Sequence, residues 1–461
     1  MPGVRVAVIG AGLSGLRAAA GLSRAGCDVT VLESRREVGG SASGGRIEGF
    51  SIDGSLPVMR STDLALLSWI EQSRLAELLL PPRAIDVSQI YRGAVQPIET
   101  HGLAALANIA GVRTWDKKRL LRLPRLMDRY RPMLDPDQPE LAADLDFRSA
   151  RDFATLYFGK SLWDYWISPE TTCEYAGDEL ELSRVAFLLA RIASREGRAP
   201  LGVPRSGLWE LVERVAAELD VAREVRADEV VARPGGGYVV HCSRADRASA
   251  KSSSRTSGSL DVEVEAVVIA TSPETAGRIA APVLVPAERD FFAGYCGGPA
   301  ASLTLALDSP IVPGASFIRV PKAEASSIEC YLCESGSAEG RVPEGKGLLT
   351  LRANVGFARA YLSASDEVVE KSLLAAVSRF HPEAVGRTRF TRLRRSPPDG
   401  KPNFHVGAYR DLARFAKVQE DRGNAGRRIY FAGDYLIGPS ANHAVASGRR
   451  AAAALRAHFG D

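Results

Sequence analysis

The sequence predicts an α/β fold in which a parallel sheet is assembled from separated segments, with a second, α+β domain inserted between them. Residues 4–9 are a short run rich in β-branched residues; a glycine-rich turn and a helical stretch from Leu16 follow, and residues 27–33 again have a strand pattern. Buried-strand patterns return at residues 262–270 and 428–432. Pieces of one sheet therefore come from the start, the middle and the end of the chain.

The stretches between these strands predict the inserted domain. Helical periodicity dominates residues 60–135 and 145–220, whereas residues 299–360 alternate as strands do. The polar stretch 243–261 is low in complexity and predicts an exposed hairpin tip. We therefore assign the domains as follows: residues 1–84, 200–280 and 421–461 form the parallel-sheet domain, and residues 85–199 (helical part) and 281–420 (sheet part) form the inserted domain.

Composition indicates a globular protein with room for a large core. Of 461 residues, 45% are hydrophobic and 25% are charged, which excludes disordered, collagen-like and coiled-coil classes. The net charge of +4 is too small to indicate nucleic-acid binding. The N-terminus lacks the pattern of a signal peptide, and no apolar run reaches about 18 residues, so a cytoplasmic location is predicted.

The cysteines and histidines do not predict a metal site. The six cysteines are scattered, and only Cys330 and Cys333 form a C-x-x-C pair. That pair lies in a stretch that alternates as a strand, which favours buried thiols over a redox dithiol or half of a zinc site. No histidine has the spacing of a metal ligand.

The turn after the first strand matches the dinucleotide-binding pattern G-x-G-x-x-G. It reads Gly10-Ala11-Gly12-Leu13-Ser14-Gly15. Gly10 permits the tight turn, Gly12 lets the backbone approach a pyrophosphate, and Gly15 lets helix and strand pack closely. The first turn of the helix then presents unpaired N–H groups and a positive dipole end to an anion.

Glu33, at the end of the second strand, narrows the choice of dinucleotide. A carboxylate there can bind both ribose hydroxyls but repels a 2′-phosphate, so FAD or NAD is favoured over NADP.

Several further segments resemble the flavin amine oxidase superfamily, and within it the branch of protoporphyrinogen oxidases and carotenoid desaturases. The segments are Glu33-Ser34-Arg35 with Gly39-Gly40, Gly49 to Asp53, Tyr175-Ala176-Gly177-Asp178, Ala432-Gly433-Asp434, and 442–452, which reads NHAVASGRRAA. The resemblance covers about a third of the chain, and most of the matching segments are parts that bind the cofactor in this family. It implies a Rossmann-type, glutathione-reductase-like FAD-binding domain with an inserted substrate domain.

The resemblance also implies roles for individual residues, with FAD held non-covalently. Glu33 and Arg35 are expected at the adenosine ribose, Gly39, Gly40 and Ser41 along the pyrophosphate, and Val225 at the adenine. Gly433 and Asp434 are expected at the ribityl chain and phosphate. A helix from about residue 442, carrying Asn442, His443 and Val445, is expected to direct its N–H groups at the flavin N1–C2=O edge.

The chain departs from the family at three places near the cofactor. Ser41 replaces a basic residue, with Arg46 as a candidate substitute. Asp53-Gly54-Ser55 stands where the family has D-x-G, so the third residue is serine. Asn442-His443 replaces Glu-Gly. His443 is therefore the candidate catalytic residue, as an acid, a base or a hydrogen-bonding partner of the flavin. The alternative is a histidine that only packs at the helix start. His405, in a loop of the region that often lines the substrate cavity, is a weaker candidate.

The expected activity is removal of hydride from a C–H bond of a mostly apolar or porphyrin-like small molecule. Ser440 occupies the position where amine oxidases of the family have an aromatic residue, which argues against an amine substrate. A flavin-dependent isomerase, an amine oxidase and a flavoprotein that has lost catalysis remain alternatives. Residues 113–131 combine closely spaced Arg and Lys with Leu and Trp, a pattern of either a solvated helix face or a peripheral membrane contact.

Overall fold

The fold is that of a computed structural model, which describes residues 3–98, 109–175, 181–196, 202–244, 260–336, 340–396 and 400–459, with the side chains of 193–196 left out. The predicted hairpin tip and the segment Ala176 to Asp178 lie largely or wholly outside these residues.

The α-helices are named in chain order. They are α1 (Leu13–Arg24), α2 (Leu64–Gln72), α3 (Ala76–Leu79), α4 (Thr114–Arg119), α5 (Leu123–Tyr130), α6 (Ala150–Phe158), α7 (Lys160–Leu162), α8 (Ser168–Tyr175), α9 (Arg184–Glu196), α10 (Leu208–Ala217), α11 (Pro273–Ile279), α12 (Pro286–Ala293), α13 (Val355–Ala360), α14 (Asp366–Ser378), α15 (Glu383–Arg387), α16 (Ala408–Asn424) and α17 (Ala441–Phe459). A π-helical turn spans Trp163–Ile167, and 3₁₀ turns span Gly40–Ala42, Leu120–Arg122, Arg131–Met133, Pro139–Leu145, Ala281–Val283, Lys322–Glu324 and Asp434–Leu436.

The strands are named in the same way. They are β1 (Arg5–Ile9), β2 (Asp28–Glu33), β3 (Gly44–Ile47), β4 (Phe50–Asp53), β5 (Arg83–Ala84), β6 (Asp86–Tyr91), β7 (Ala94–Pro97), β8 (Gly202–Val203), β9 (Asp220–Arg223), β10 (Val225–Ala232), β11 (Tyr238–Arg244), β12 (Leu260–Val264), β13 (Ala266–Ile269), β14 (Gly297–Gly298), β15 (Ala301–Leu307), β16 (Ala315–Arg319), β17 (Ile328–Ser335), β18 (Gly347–Ala353), β19 (Thr388–Arg395), β20 (Lys401–Pro402) and β21 (Ile429–Phe431).

A parallel sheet carries the N-terminal turn, as predicted. Its order is β21-β13-β1-β2-β9, so segments from the start, middle and end of the chain lie side by side. Its inner strands are largely buried because α1, α10 and α17 share one apolar cluster with the sheet, and the three-stranded sheet β10-β11-β12 contributes to another; the edge strand β9 is partly exposed. The fold class is therefore confirmed.

One strand prediction needs correction within this sheet. The run 262–270 is two strands: β12 pairs antiparallel with β11, and β13 pairs parallel with β1. Glu265 separates them, because its carboxylate accepts a hydrogen bond from the backbone N–H of Arg5 at 2.7 Å. The sequence marks the break by a change of pattern at Glu265, from the alternating charged and apolar residues of β12 to the apolar run of β13.

A seven-stranded mixed sheet forms the second large layer, in the order β19-β15-β18-β17-β16-β6-β7. The strand prediction for residues 299–360 is confirmed by β15, β16, β17 and β18, but it is wrong for residues 355–360, which form α13. Cys330 and Cys333 are buried thiols on β17. The helical interpretation of residues 85–199 was wrong for 86–97, which form β6 and β7 of this sheet. Val87 and Ile90 point to opposite faces of β6 and are buried in two different apolar clusters, so both faces of this strand are covered.

The helices of the inserted segment pack around their own apolar core. The largest share comes from α9 and α6, with Phe153, Phe158 and Phe187 fully or almost fully buried. Tyr175 of α8 meets Phe404 edge-on at 5.8 Å, which connects this core to the segment that follows β20. The boundaries assigned to the two domains stay a prediction.

Candidate FAD and substrate site

The glycine turn between β1 and α1 has the geometry that the motif requires. Gly10 has φ +104°, and a Cβ there would lie 2.7 Å from the carbonyl oxygen of Ala270. A Cβ at Gly15 would lie 1.9 Å from the carbonyl oxygen of Gly10, so only glycine lets α1 pack on the turn. At Gly12, by contrast, a Cβ would meet no atom within 4 Å. The backbone of Gly12 therefore faces open space of the kind that a pyrophosphate needs.

A second glycine loop closes this space. Gly39 donates its N–H to the carbonyl oxygen of Ala11 at 2.7 Å, and a parallel bridge joins Gly39 to Gly12. Gly39 and Gly40 have φ +102° and +57°, values that favour glycine. Ser41 follows on the exposed side of this loop. The two loops together make a cradle built from backbone.

Glu33 is fixed at the edge of the cradle. Its Oε2 accepts a hydrogen bond from Ala11 N at 2.8 Å, and its Oε1 accepts one from Arg35 N at 2.8 Å. A carboxylate can accept further bonds beyond these two, so ribose hydroxyls can still be bound. The Arg35 side chain is exposed. Arg46 is a poor substitute for the missing basic residue at 41, because it lies 3.5 Å from Glu210 and 3.3 Å from Ser206 Oγ.

Several predicted cofactor residues have buried side chains. Leu13 and Ser14 are buried in α1, Val225 begins β10 in a cluster with Leu32, and Val445 is completely buried in the α1 core. Contact with a cofactor at these positions is therefore left to the backbone. Their roles stay predictions.

The C-terminal helix α17 brings a second helix N-terminus to the cradle. Gly433 donates its N–H to Ser447 Oγ at 2.9 Å, which ties the loop after β21 to α17. A Cβ at Gly448 would lie 2.1 Å from the carbonyl oxygen of Ser14, so glycine is what allows α1 and α17 to approach. The sequence motif contained Gly448, but its packing role became visible only in the structure.

Ser440 and Asn442 serve the start of α17. Ser440 is the N-cap: its Oγ accepts the backbone N–H of His443 at 3.1 Å. The Asn442 side-chain oxygen accepts the N–H of Leu66 at 3.1 Å, so it holds the first turn of α2. Two of the family departures therefore have structural uses.

His443 lies half-buried at this helix start, with Nδ1 2.9 Å from Ser440 Oγ. The Ser440 hydroxyl can donate to Nδ1 or accept a hydrogen bond from it, and the backbone of Gly438 also forms a hydrogen bond with the ring. Burial, and next the nearby charge of Arg60, lower the pKa of His443 to about 4. The ring is therefore neutral near pH 7, so it can donate one hydrogen bond but does not serve as a protonated acid.

The remaining candidates near the cofactor segments have other partners. Asp53 pairs with the buried Arg341, whose Nε also lies 3.0 Å from Glu334. His405 Nδ1 donates to the carbonyl oxygen of Val406 at 2.9 Å, and the residue lines a cavity with Phe291, Tyr295 and Tyr435. No contact joins His405 to His443 among the residues that the structure describes.

Sequence reasoning missed a charged cluster on the substrate-domain side. Arg352 of β18 donates to Glu329 of β17 at 2.6 Å and to the carbonyl oxygen of Cys173 in α8 at 2.5 Å. Lys401 of β20 lies within electrostatic reach of this pair and of Asp434. Burial raises the pKa of Asp434 to about 6, although Lys401 opposes that shift. Isolated charges in otherwise apolar strands, such as Glu329, were the available signal.

Metal-binding clusters and membrane-spanning helices are both absent from the described ranges. No group of three His, Cys, Asp or Glu residues there is arranged to hold a metal ion. No helix in the same ranges has the length and apolar character needed to cross a membrane.

Comparison with known proteins agrees with this geometry. Residues 13–456 match the family described as flavin containing amine oxidoreductase. A mitochondrial protoporphyrinogen oxidase of Nicotiana tabacum is 29% identical over 206 residues, which span 44% of this chain and 39% of that relative. Most of the relative's length is therefore unmatched.

Two solved structures share the fold along essentially the whole chain. A candidate protoporphyrinogen oxidase from Exiguobacterium sp. 255-15 has a TM-score of 0.72 at 18% identity and covers 99% of both chains. Cyclohexylamine oxidase from Brevibacterium oxydans IH-35A has a TM-score of 0.71 at 19% identity and covers 100% of both. The backbone cradle and the match over residues 13–456 together show that the chain belongs to the flavin-containing amine oxidoreductase family and is an FAD-dependent oxidoreductase.

Proposed function

We propose that the protein removes hydride from a C–H bond of a mostly apolar or porphyrin-like small molecule, with FAD bound non-covalently. The observation that carries this choice within the family is Ser440. Its hydroxyl caps α17 and bonds the His443 ring, so this position offers no aromatic wall to an amine.

The residues of the chain have separable tasks in this reaction. Bound FAD supplies a two-electron acceptor for hydride. The loops around Gly12 and Gly39 hold the pyrophosphate, and Glu33 holds the ribose. The N-terminus of α17 and the ring N–H of His443 would stabilise negative charge that develops beside them.

Anaerobic mixing of the FAD-loaded protein with candidate donors tests the proposal. Protoporphyrinogen, phytoene and putrescine represent a porphyrin-like donor, an apolar polyene and an amine. We expect protoporphyrinogen or phytoene to bleach the flavin absorbance and putrescine to leave it unchanged. Gly12→Val, which should lack FAD, is the control for bleaching by other routes.

Three outcomes would replace the proposal by an alternative. Bleaching by putrescine would favour an amine oxidase. Substrate rearrangement that occurs only after the flavin has been reduced chemically would favour an isomerase. No reaction with any donor in either redox state would favour a flavoprotein without catalysis.

A further inference from the structure

A cavity lies between α12, α16 and the segment that follows β20. Its volume of about 410 Å³, which includes space at the open mouth, is in the range of small-molecule pockets. Rings form much of its wall: Phe291 of α12, Tyr295 just after that helix, Phe404, and Tyr435 after β21. Tyr295 and Tyr435 meet edge-on with their centroids 6.0 Å apart. Aromatic walls of this kind pack well against a flat ring.

The walls of the cavity are held in place by contacts within the chain. The carbonyl oxygen of Phe404 accepts the backbone N–H of Ser183 at 2.9 Å, which fixes the segment after β20. On the opposite wall, Phe291 stacks on Phe415 of α16 with the ring centroids 4.1 Å apart. A ligand would therefore find the cavity already formed and would not have to order a loop.

Two buried polar side chains line this cavity without a hydrogen-bond partner among the described residues. They are Asn403, through its side-chain oxygen, and Tyr435, through its hydroxyl; the two residues are 8% and 3% exposed. Burial, and next the charge of Asp434, raise the pKa of the Tyr435 hydroxyl, so it keeps its proton and can donate. A buried donor or acceptor that stays unpaired is costly, so a partner from outside the chain is expected for both.

The other polar groups of the lining indicate the charge of that partner. His405 Nδ1 donates to the carbonyl oxygen of Val406, which leaves Nε2 of the neutral ring as an acceptor. Asp411 is exposed at the mouth and is paired with Arg414 at 3.0 Å. The described lining contains no Lys or Arg, so it offers nothing to balance an anion, and Asp411 already has its cation. An uncharged ligand that donates a hydrogen bond fits these groups best.

We propose that this cavity binds a small, uncharged aromatic molecule that carries an amide, either as a substituent or within its ring. The amide N–H would donate to the side-chain oxygen of Asn403, and the amide oxygen would accept from the Tyr435 hydroxyl. The aromatic ring would pack among the rings of the wall. The proposal does not depend on which compound the protein oxidises, because none of these groups is assigned to hydride removal.

Binding of three matched ligands to the FAD-loaded protein tests the proposal. Benzamide has the aromatic ring and both amide groups, acetophenone lacks the N–H donor, and cyclohexanecarboxamide lacks the aromatic ring. Isothermal titration calorimetry, with ligand-observed NMR for weak binding, measures each affinity. We expect benzamide to bind about fivefold or more tightly than either of the others, which is the lower end of the range for leaving a buried polar group unpaired.

Two variants assign the binding to this cavity. Asn403→Leu nearly keeps the side-chain size and removes the acceptor, so benzamide should lose its advantage over acetophenone. Tyr435→Phe removes the hydroxyl and should weaken both ligands by a similar factor, because both have the carbonyl oxygen. Asn424→Leu, at the exposed end of α16, and Tyr361→Phe, which does not line the cavity, are matched controls and should change neither affinity. The FAD content of each variant shows whether its fold is kept.

Several results would overturn the proposal. One is no binding of benzamide, which would mean that ordered water alone satisfies the two groups. Another is binding of benzamide no tighter than that of acetophenone or of cyclohexanecarboxamide. A third is an unchanged preference in Asn403→Leu together with unchanged affinities in Tyr435→Phe, which would place the bound benzamide elsewhere. Because binding needs no hydride transfer, the expected preference in a protein that no donor reduces would overturn the proposed function alone.

Discussion

The cofactor side and the substrate side of the site are built from different materials. The cofactor side is mainly backbone: Gly10, Gly12, Gly15 and Gly39 shape a cradle in which a side chain would occupy the ligand's space or clash. The substrate side is made of charged side chains that arrive from separate strands, such as Glu329, Arg352 and Lys401. A backbone shape that requires glycine at fixed positions produces a recognisable sequence motif, whereas a cluster of side chains from distant strands does not. The cofactor could therefore be predicted from this sequence, and the substrate could not.

The largest effect should come from filling the backbone cradle. Gly12→Val directs two methyl groups into the open space that the pyrophosphate needs, so FAD binding should be abolished. The measurement is the FAD content of the purified variant. Gly386→Val, another glycine with no atom within 4 Å of its missing Cβ, is the control and should keep its FAD. Normal FAD content in Gly12→Val would contradict the claim that the cofactor side is a backbone cradle without room for a side chain.

The ion cluster that joins the two sides should matter for stability. Arg341→Met leaves the buried carboxylates of Asp53 and Glu334 without their cation, which should cost about 3–5 kcal/mol of the free energy of unfolding. Denaturant-induced unfolding measures the loss. Arg392→Met, at an exposed position of β19, should change it little. Equal stability of both variants would mean that this ion cluster does not hold the hairpin of β3 and β4 to the seven-stranded sheet.

His443 is the side chain through which the cofactor side could act on chemistry. His443→Gly, which restores the family residue, should keep FAD bound while slowing substrate-driven flavin reduction by about tens of fold, the range for loss of a positioned polar group. If the ring only tunes the flavin, the midpoint potential should move while substrate affinity stays the same. His405→Gly is the control. An unchanged rate together with an unchanged potential would leave His443 a packing residue.

The smallest effect concerns the surface formed by α4 and α5. Trp115 and Leu121 are 67% and 64% exposed beside several Arg and Lys residues, and Lys118 lies over the Trp115 ring at 5.6 Å. We expect weak, salt-sensitive binding to vesicles that contain anionic lipid, reduced several-fold in Trp115→Ala/Leu121→Ala. Leu362→Ala is the control for an exposed leucine elsewhere. Equal sedimentation with neutral and anionic vesicles would identify a solvated helix face.

The features that the sequence predicted have local patterns, and the features that it missed depend on contacts between distant segments. The parallel sheet, the glycine turn and the helix from Ala441 were predicted because each has a local pattern. Strands β6 and β7 were missed because they follow a helical stretch and because β6, which pairs with β7, joins the sheet through β16, more than two hundred residues away. The neighbours of Lys401 were missed for a related reason, since their proximity arises only when β17, β18 and β20 come together. The capping role of Ser440 was within reach, because serine before a helix is a cap signal.

The identity of the released chromophore tests the central claim most directly. The purified protein is denatured, the precipitate is removed, and the supernatant is separated by chromatography against FAD, FMN and NAD standards. Because the cradle has a ribose carboxylate at Glu33, two glycine loops and a second helix N-terminus, we predict that FAD is released intact in about one equivalent. FMN, NAD, no chromophore, or flavin that stays with the precipitated protein would contradict the claim of non-covalent FAD binding.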